Sequence, residues 1–213
     1  MNEMSAEAVL TTTRAVRKRL DLSRPVDLAV VKECLTIALQ APSGSNRQEW
    51  QWLVVTDAAQ RAAIGDVYRR ACTAYLESSR AAGKLFADDP SRSAVQQRVH
   101  SSVAALADTM GQVPVLLIPC IQTGRDLPEG NQAGVWASLL PAAWSFMLAA
   151  RTRGLGTAWT TLHLTYESEV ADILGLPAGV HQAALIPTAY YTGADFKPAP
   201  RQPLDEVLHI DRW

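Results

Sequence analysis

The 213 residues, 48% of them hydrophobic, are enough for one sizeable core, and a single domain over residues 1–213 is the expectation. A formal net charge of −1 and a pI near 6.4 supply no basic field, which argues against nucleic acid as a partner. Cys34, Cys72 and Cys120 lie far apart without a C-x-x-C pair, which points away from a disulfide framework or a zinc site and toward small core thiols in a reducing cytoplasm.

The first residues include Glu3 and no apolar stretch of signal-peptide length, and no later run shows the roughly 18 uninterrupted apolar residues of a membrane span. A soluble, cytoplasmic protein that meets no membrane is expected. Residues 5–20 read as a short helix with Arg14, Arg17, Lys18 and Arg19 near its end. A cationic helix end is ordinarily a solvated feature that complements the helix dipole. Three apart, Arg14 and Arg17 would also share a helix face and could converge on one anionic ligand.

Asp27 caps a helix whose Leu28, Val31, Leu35, Ala38 and Leu39 form one stripe. That helix stops at Gln40, and residues 41–52, APSGSNRQEWQW, follow. Pro42, Ser43, Gly44, Ser45 and Asn46 favour a turn, and Trp50 and Trp52 lead into a buried strand over residues 50–56. Such a corner turns backbone N–H groups and short side-chain donors toward whatever lies beside it. Asp57 caps a helix over residues 58–79 that is rich in Ala and Arg and reads as a surface helix.

Residues 80–98 mix charge, Gly and Pro and read as a mobile loop region, with a helix resuming over residues 91–110. VPVLLIPCI, residues 113–121, reads as a central strand, and because Pro119 forfeits a ladder hydrogen bond, a bulge or the strand's end should lie beside it. After the loop TGRDLPEGNQAG, residues 135–153 form a long helix that is apolar nearly all round and therefore buried on several sides. Pro141 should kink it or mark its first turn.

GLGTAWTT, residues 154–161, opens with G-x-G, but Trp159 stands where a dinucleotide loop needs its third glycine, no strand precedes it and a strand rather than a helix follows, so a Rossmann site is rejected. A short helix over residues 167–174 is closed by Gly175, and residues 183–191 form another buried strand. The tail from Asp195 has three prolines and ends Ile-Asp-Arg-Trp, an ending suited to docking rather than to solvent.

His100, His163, His181 and His209 show no metal-ligand spacing, and neither a G-x-S-x-G elbow nor a P-loop is present. Asp88 and Asp89 read as a solvated pair. Cations and a polar corner remain, with no acid, base or nucleophile in evident position, a combination that suits a cofactor carrying its own chemistry.

The Arg-rich segment 12–19, A-P-S-x-x-N-x-Q-x-W at 41–50, G-L-G-T-A-W-T-T at 154–161 and F-K-P-A-P-R-Q-P-L-D-E-V at 196–207 together resemble the FMN-dependent nitroreductase family, in its order and over nearly the whole chain. The resemblance implies an α+β fold, a central mixed β-sheet flanked by helices, in a homodimer whose C-terminal extensions dock on the partner subunit. It implies two flavin sites at the interface. Arg14 would meet the FMN phosphate, and Arg17 the ribityl chain or the pyrimidine edge. Ser138 would touch the flavin, Thr160, Thr161 and Leu162 would pass its central ring with a backbone N–H toward N5, and Arg201 would reach the phosphate, all from one subunit. Pro42, Ser43, Gly44 and Asn46 would come from the other. By the same analogy Tyr68, Arg69 and Arg70 approach the flavin's carbonyl edge, and a substrate lid lies between the first two strands. Thr13 and Ala15 stand where an arginine and a serine are common, so the phosphate contacts at Ala15 differ from the usual pattern.

The activity implied is reduction of nitroaromatics, quinones or related electron-poor small molecules by NAD(P)H in a ping-pong cycle, with chemistry at flavin N5. Two alternatives stand beside it: a flavin-binding, sequestering or regulatory protein without turnover, and a family relative that acts on flavin itself or on a halogenated or unsaturated substrate.

Overall fold

The structure, a computed structural model, describes residues 4–193 and 195–213. Its sheet is built on β2 (Val115–Gln122), which pairs antiparallel with β1 (Trp50–Val55) on one edge. On the other edge β2 meets β4 (Val180–Gln182) and β5 (Ile186–Tyr190), and β5 carries β3 (Leu155–Thr157), giving the order β1-β2-β5-β3 in a five-stranded sheet. The named pairs are antiparallel, and a bridge between Ala15 and Thr157 adds the parallel component.

The seven residues Val115–Ile121 are all buried, as a strand covered on both faces requires. Leu116, Ile118 and Cys120 face one core with α3 (Ala58–Glu77) and α4 (Pro90–Thr109), whereas Val115 and Leu117 face another with α2 (Leu28–Ala38) and α6 (Leu140–Thr152). The period of two thus sorts β2 between two helical layers, each buried aliphatic contributing roughly 1.5–3 kcal/mol relative to exposure. The bulge expected beside Pro119 is present. Leu117 faces Ile186 and Cys120 faces Gln182, so β2 advances three residues while its neighbour advances four. The Pro119 carbonyl accepts the Ala183 N–H at 2.9 Å.

Caps set the helix starts where the sequence places them. Asp27 accepts from Ala29 N–H at 2.8 Å, and Asp57 from Gln60 N–H at 2.9 Å. Asp57→Ala should lower the unfolding free energy by about 1 kcal/mol, a loss read by urea denaturation. Asp89 caps α4, whose first turn holds Pro90, so the helix expected over residues 91–110 forms and takes the second half of the region read as loop. Helix α7 (Glu167–Leu174) ends on Gly175 at φ 65°, the left-handed closure that glycine adopts without a Cβ clash.

Three expectations need correction. The first helix, α1 (Ala6–Thr12), does not run to residue 20. The hydroxyls of Thr11, Thr12 and Thr13 donate back to the carbonyls of Glu7, Ala8 and Val9 at 2.7, 2.6 and 2.7 Å, and Val16 N–H is taken by Thr157 C=O at 2.8 Å. Arg14 and Arg17 therefore share no helix face. Helix α3 is no surface helix, because Ile64, Val67, Tyr68, Ala71 and Cys72 are buried. The long helix is two, α5 (Ala133–Ala137) and α6, interrupted at Ser138 and Leu139 with Pro141 in the first turn of α6. Ala133–Thr152 has the length and apolarity to cross a membrane, with a mean hydropathy of 1.4. The break leaves α6 with 13 residues, about 20 Å of helix against a hydrocarbon core of about 30 Å, and its Phe146, Met147 and Ala150 pack in the core beside α2.

Candidate functional site

The residues expected at a ligand fall into two groups. In the first, the extended segment after α1 lies along β3 through the Ala15–Thr157 bridge. It also lies over α4, where Lys18 Nζ donates to Ser101 Oγ at 2.7 Å and Arg17 approaches Ser102 Oγ at 3.4 Å. Arg17 is half-buried. Burial draws its guanidinium below the ordinary arginine value, and Tyr68 and Tyr75 pull the other way. Arg14 is exposed and donates to the Lys197 carbonyl at 3.1 Å, so the arginine segment touches the start of the C-terminal tail. Arg201, four residues further on, is exposed and donates to Pro200 C=O at 3.0 Å. The Thr13 hydroxyl is held by the α1 carbonyl, and the Ala15 side chain is exposed and offers no hydroxyl.

The exit of β3 completes this group. Thr160 exchanges backbone hydrogen bonds with Leu185 at 3.1 and 2.8 Å, so its N–H is already engaged. Its Oγ1 lies 3.0 Å from Tyr68 Oη. Tyr68 is 1% exposed, and burial pushes its phenol up to about 12, leaving it a neutral hydroxyl across the physiological range. Among the described residues the N–H groups of Thr161 and Leu162 make no hydrogen bond. Two successive open donors therefore remain at the exit of the strand that the arginine segment bridges. Ser101 and Ser102 carry no sequence signal as site residues, and Tyr68 enters from sequence only through the family analogy. For the burial of Tyr68 the signal existed, since residues 64, 67, 68, 71 and 72 form an apolar helical stripe broken up by Arg61, Arg69 and Arg70. Arg69 and Arg70 instead pair with Asp66 and Glu169 at the surface.

The second group is the corner after α2. Ser45, Asn46 and Gln48 take φ values of 51, 54 and 53°, the left-handed region that non-glycine residues rarely occupy. Local bonds hold them there: Asn46 N–H to Ser43 C=O at 3.0 Å, Gln48 N–H to Ser43 Oγ at 3.2 Å, and Gln48 Nε2 to Asn46 Oδ1 at 3.0 Å. Ser138 belongs here and not with the arginines. Its Oγ accepts the Gly44 N–H at 3.0 Å, and a Cβ on Gly44 would stand 3.1 Å from that oxygen. Gly44 N–H is thus no longer an open donor. Pro42 lines an apolar groove with Val9, Ile37, Pro141 and Leu148, whereas Gly44, Ser45 and Ser138 line a separate polar cleft with Arg47 and Arg125. Among the described residues no hydrogen bond joins the corner to Arg14, Arg17 or the β3 exit.

His163, next along the chain from the open donors, is fully buried with neither ring nitrogen hydrogen-bonded, and burial lowers its pKa to about 4. No metal-holding cluster of His, Cys, Asp and Glu occurs among the described residues.

This sheet between two helical layers, with an arginine segment laid on β3, is a nitroreductase-like α+β fold. The chain belongs to the nitroreductase family, whose profile matches residues 10–190. It is similar to the nitrobenzene nitroreductase of Ectopseudomonas oleovorans, 29% identical, with 72% of this chain and 74% of that one covered. Its fold is similar to iodotyrosine deiodinase bound to FMN and 3-iodo-L-tyrosine, with a TM-score of 0.68, 21% identity, and 96% of this chain and 97% of that one covered. It is also similar to NfnB, an FMN and NADPH-dependent nitroreductase from sphigopyxis sp. strain HMH, with a TM-score of 0.67, 24% identity, and 99% and 100% covered. Membership places the chain among the oxidoreductases.

Proposed function

We propose that this chain is an FMN-dependent oxidoreductase that uses NAD(P)H to reduce nitroaromatic, quinone or related electron-poor small molecules by ping-pong turnover. The observation that supports the reading is that Arg14 and Arg17 flank Ala15, which bridges Thr157 on the strand whose exit carries the open N–H groups of Thr161 and Leu162. This donor set fits FMN: guanidinium groups match a phosphate, and N–H donors match the acceptor edge of a flavin ring. When bound, FMN supplies hydride chemistry at its own N5. Arg14 and Arg201 would hold the phosphate. Arg17, charged at every physiological pH, would offset negative charge at the ring's pyrimidine side. The Thr161 and Leu162 N–H groups would orient the ring edge, and Tyr68 would brace Thr160 beneath them.

A homodimer follows from the same reading, because the corner with Pro42, Ser43, Gly44, Asn46 and Ser138 would reach the flavin held by a second copy. It is supported by apolar surface that one chain leaves uncovered. The groove lined by Val9, Ile37, Pro42 and Leu148 has a volume of about 600 Å³. Leu204, Val207, Leu208, Ile210 and Trp213 of the tail are exposed, Trp213 at 99%, and β1 lies at the sheet edge. The tail would dock on the partner. We take the chain as one cytoplasmic domain that binds neither nucleic acid nor membrane.

The purified protein should be a yellow dimer by light scattering. It should be bleached anaerobically by NADH or NADPH and recoloured by a nitroaromatic or a quinone. A colourless preparation that takes up no added FMN and oxidises neither nicotinamide overturns the proposal. Bound FMN without nicotinamide oxidation supports a sequestering protein instead, and product analysis with halogenated substrates separates the family relative.

A further inference from the structure

The C-terminal tail leaves the body of the protein through a staple that the proposed function does not use. Arg151, near the end of α6, is 5% exposed, and arginine is rarely so buried without partners. Its Nη1 donates to Tyr191 Oη at 2.6 Å and its Nη2 to Asp195 Oδ1 at 3.0 Å, while Tyr191 Oη donates to the same Oδ1 at 2.9 Å. The guanidinium also lies 5.3 Å from the Tyr191 ring and 5.1 Å from the Phe196 ring. On the far side Arg19 lies 4.3 Å from the Phe196 ring and donates to Thr192 C=O at 2.6 Å, and Thr192 N–H returns to Arg19 C=O at 2.9 Å. The next residue, Lys197, gives its carbonyl to Arg14. Beyond it, residues 201–213 are exposed throughout, so their direction within the chain is set where they depart.

We propose that Arg151 is a positioning residue for the phosphate end of the FMN site: through Tyr191, Asp195 and Phe196 it fixes the tail's departure, and so sets Arg14 and Arg201 around one anion. The inference rests on the FMN reading above. Planarity suits arginine to the task, because one rigid fork serves the phenol and the carboxylate at once, which the single ammonium of lysine does not reproduce. Arg151 touches none of the residues assigned to the flavin ring, so its effect should be confined to the phosphate.

That confinement gives the test. FMN and riboflavin share the ring and differ in the phosphate, and their dissociation constants are measured by fluorescence quenching on the full-length protein stripped of flavin. Wild type should favour FMN. Arg151→Met should weaken FMN by about tenfold or more, the scale of one charge-assisted contact, and leave riboflavin within about twofold. Asp195→Ala removes an exposed carboxylate, so it keeps the core and should move the FMN-to-riboflavin ratio in the same direction by a smaller factor. An unchanged ratio in both variants overturns the inference, as does an equal loss of both flavins in a destabilised Arg151→Met. Wild type that takes up neither flavin overturns the underlying FMN reading as well, and is told apart by its own colourless control.

Discussion

Replacing Gly65 with alanine should lower the unfolding free energy by about 2–3 kcal/mol, although helix propensity alone would raise it by roughly 1 kcal/mol. Gly65 lies inside α3, where a Cβ would stand 2.6 Å from Gly111 N and 2.8 Å from its Cα. These are main-chain atoms, and no rotamer change can move them aside. The approach is mutual, since a Cβ on Gly111 would stand 3.0 Å from Ala62 Cα. Arg61 closes the junction by donating to Val113 C=O at 2.7 Å. The extra methyl therefore has to push α3 away from residues 110–113. Tyr68, three residues along the same face, would move with it and lengthen its 3.0 Å contact with Thr160. Urea and thermal denaturation decide between the two effects: Gly65→Ala as stable as wild type, or more so, would mean that propensity wins and the junction is loose.

Wild-type stability should fall by on the order of 3 kcal/mol as the pH drops from about 6.5 to about 4, through the protonation of His163. The imidazole is fully buried with both nitrogens unpartnered, and burial lowers its pKa from 6.5 to about 4. A folded-state pKa below the unfolded one means that the unfolded chain takes up the proton first. Stability is thus whole above about pH 6.5 and is lost progressively down to the folded value. His163→Leu should flatten this window. It should also gain about 1–3 kcal/mol near neutral pH, because a buried polar group without a partner is removed and apolar contacts replace it. Denaturation of both proteins at about pH 7 and about pH 4.5 tests this, and equal acid losses would assign the effect to other groups. Asp21, Asp89 and Asp195 have pKa values drawn below the usual carboxylate value, Asp195 by its bonds from Tyr191 and Arg151, so they titrate beneath the window. Leu162, with one of the open N–H groups, is the residue before His163, so acid loosening would start beside the proposed ring-binding edge.

Helix starts at Asp27 and Asp57, the closure at Gly175 and the bulge beside Pro119 were all legible, because each depends on groups within a few residues or on one missing N–H. The end of α1 has a local signal too: three successive threonines carry the hydroxyls that return to the preceding turn. Tyr68 was half legible, its stripe visible and its partner Thr160 not. Nothing local marks Ser138 as the acceptor of Gly44 N–H, 94 positions away, or Arg151 as the anchor of Asp195.

By itself the sequence determined where chain segments begin and end, which faces are apolar, and the order of motifs that marks the family, since caps, periodicity and turn residues act over a few bonds. Only the tertiary structure decided which polar groups meet. The extended run after α1 gives its Val16 N–H to Thr157, which lays the arginine segment on β3, and the N–H groups of Thr161 and Leu162 stay open at that strand's exit. Burial then decides the charge state of what lies below: His163 is held neutral there because no partner offsets the cost of carrying a proton out of water.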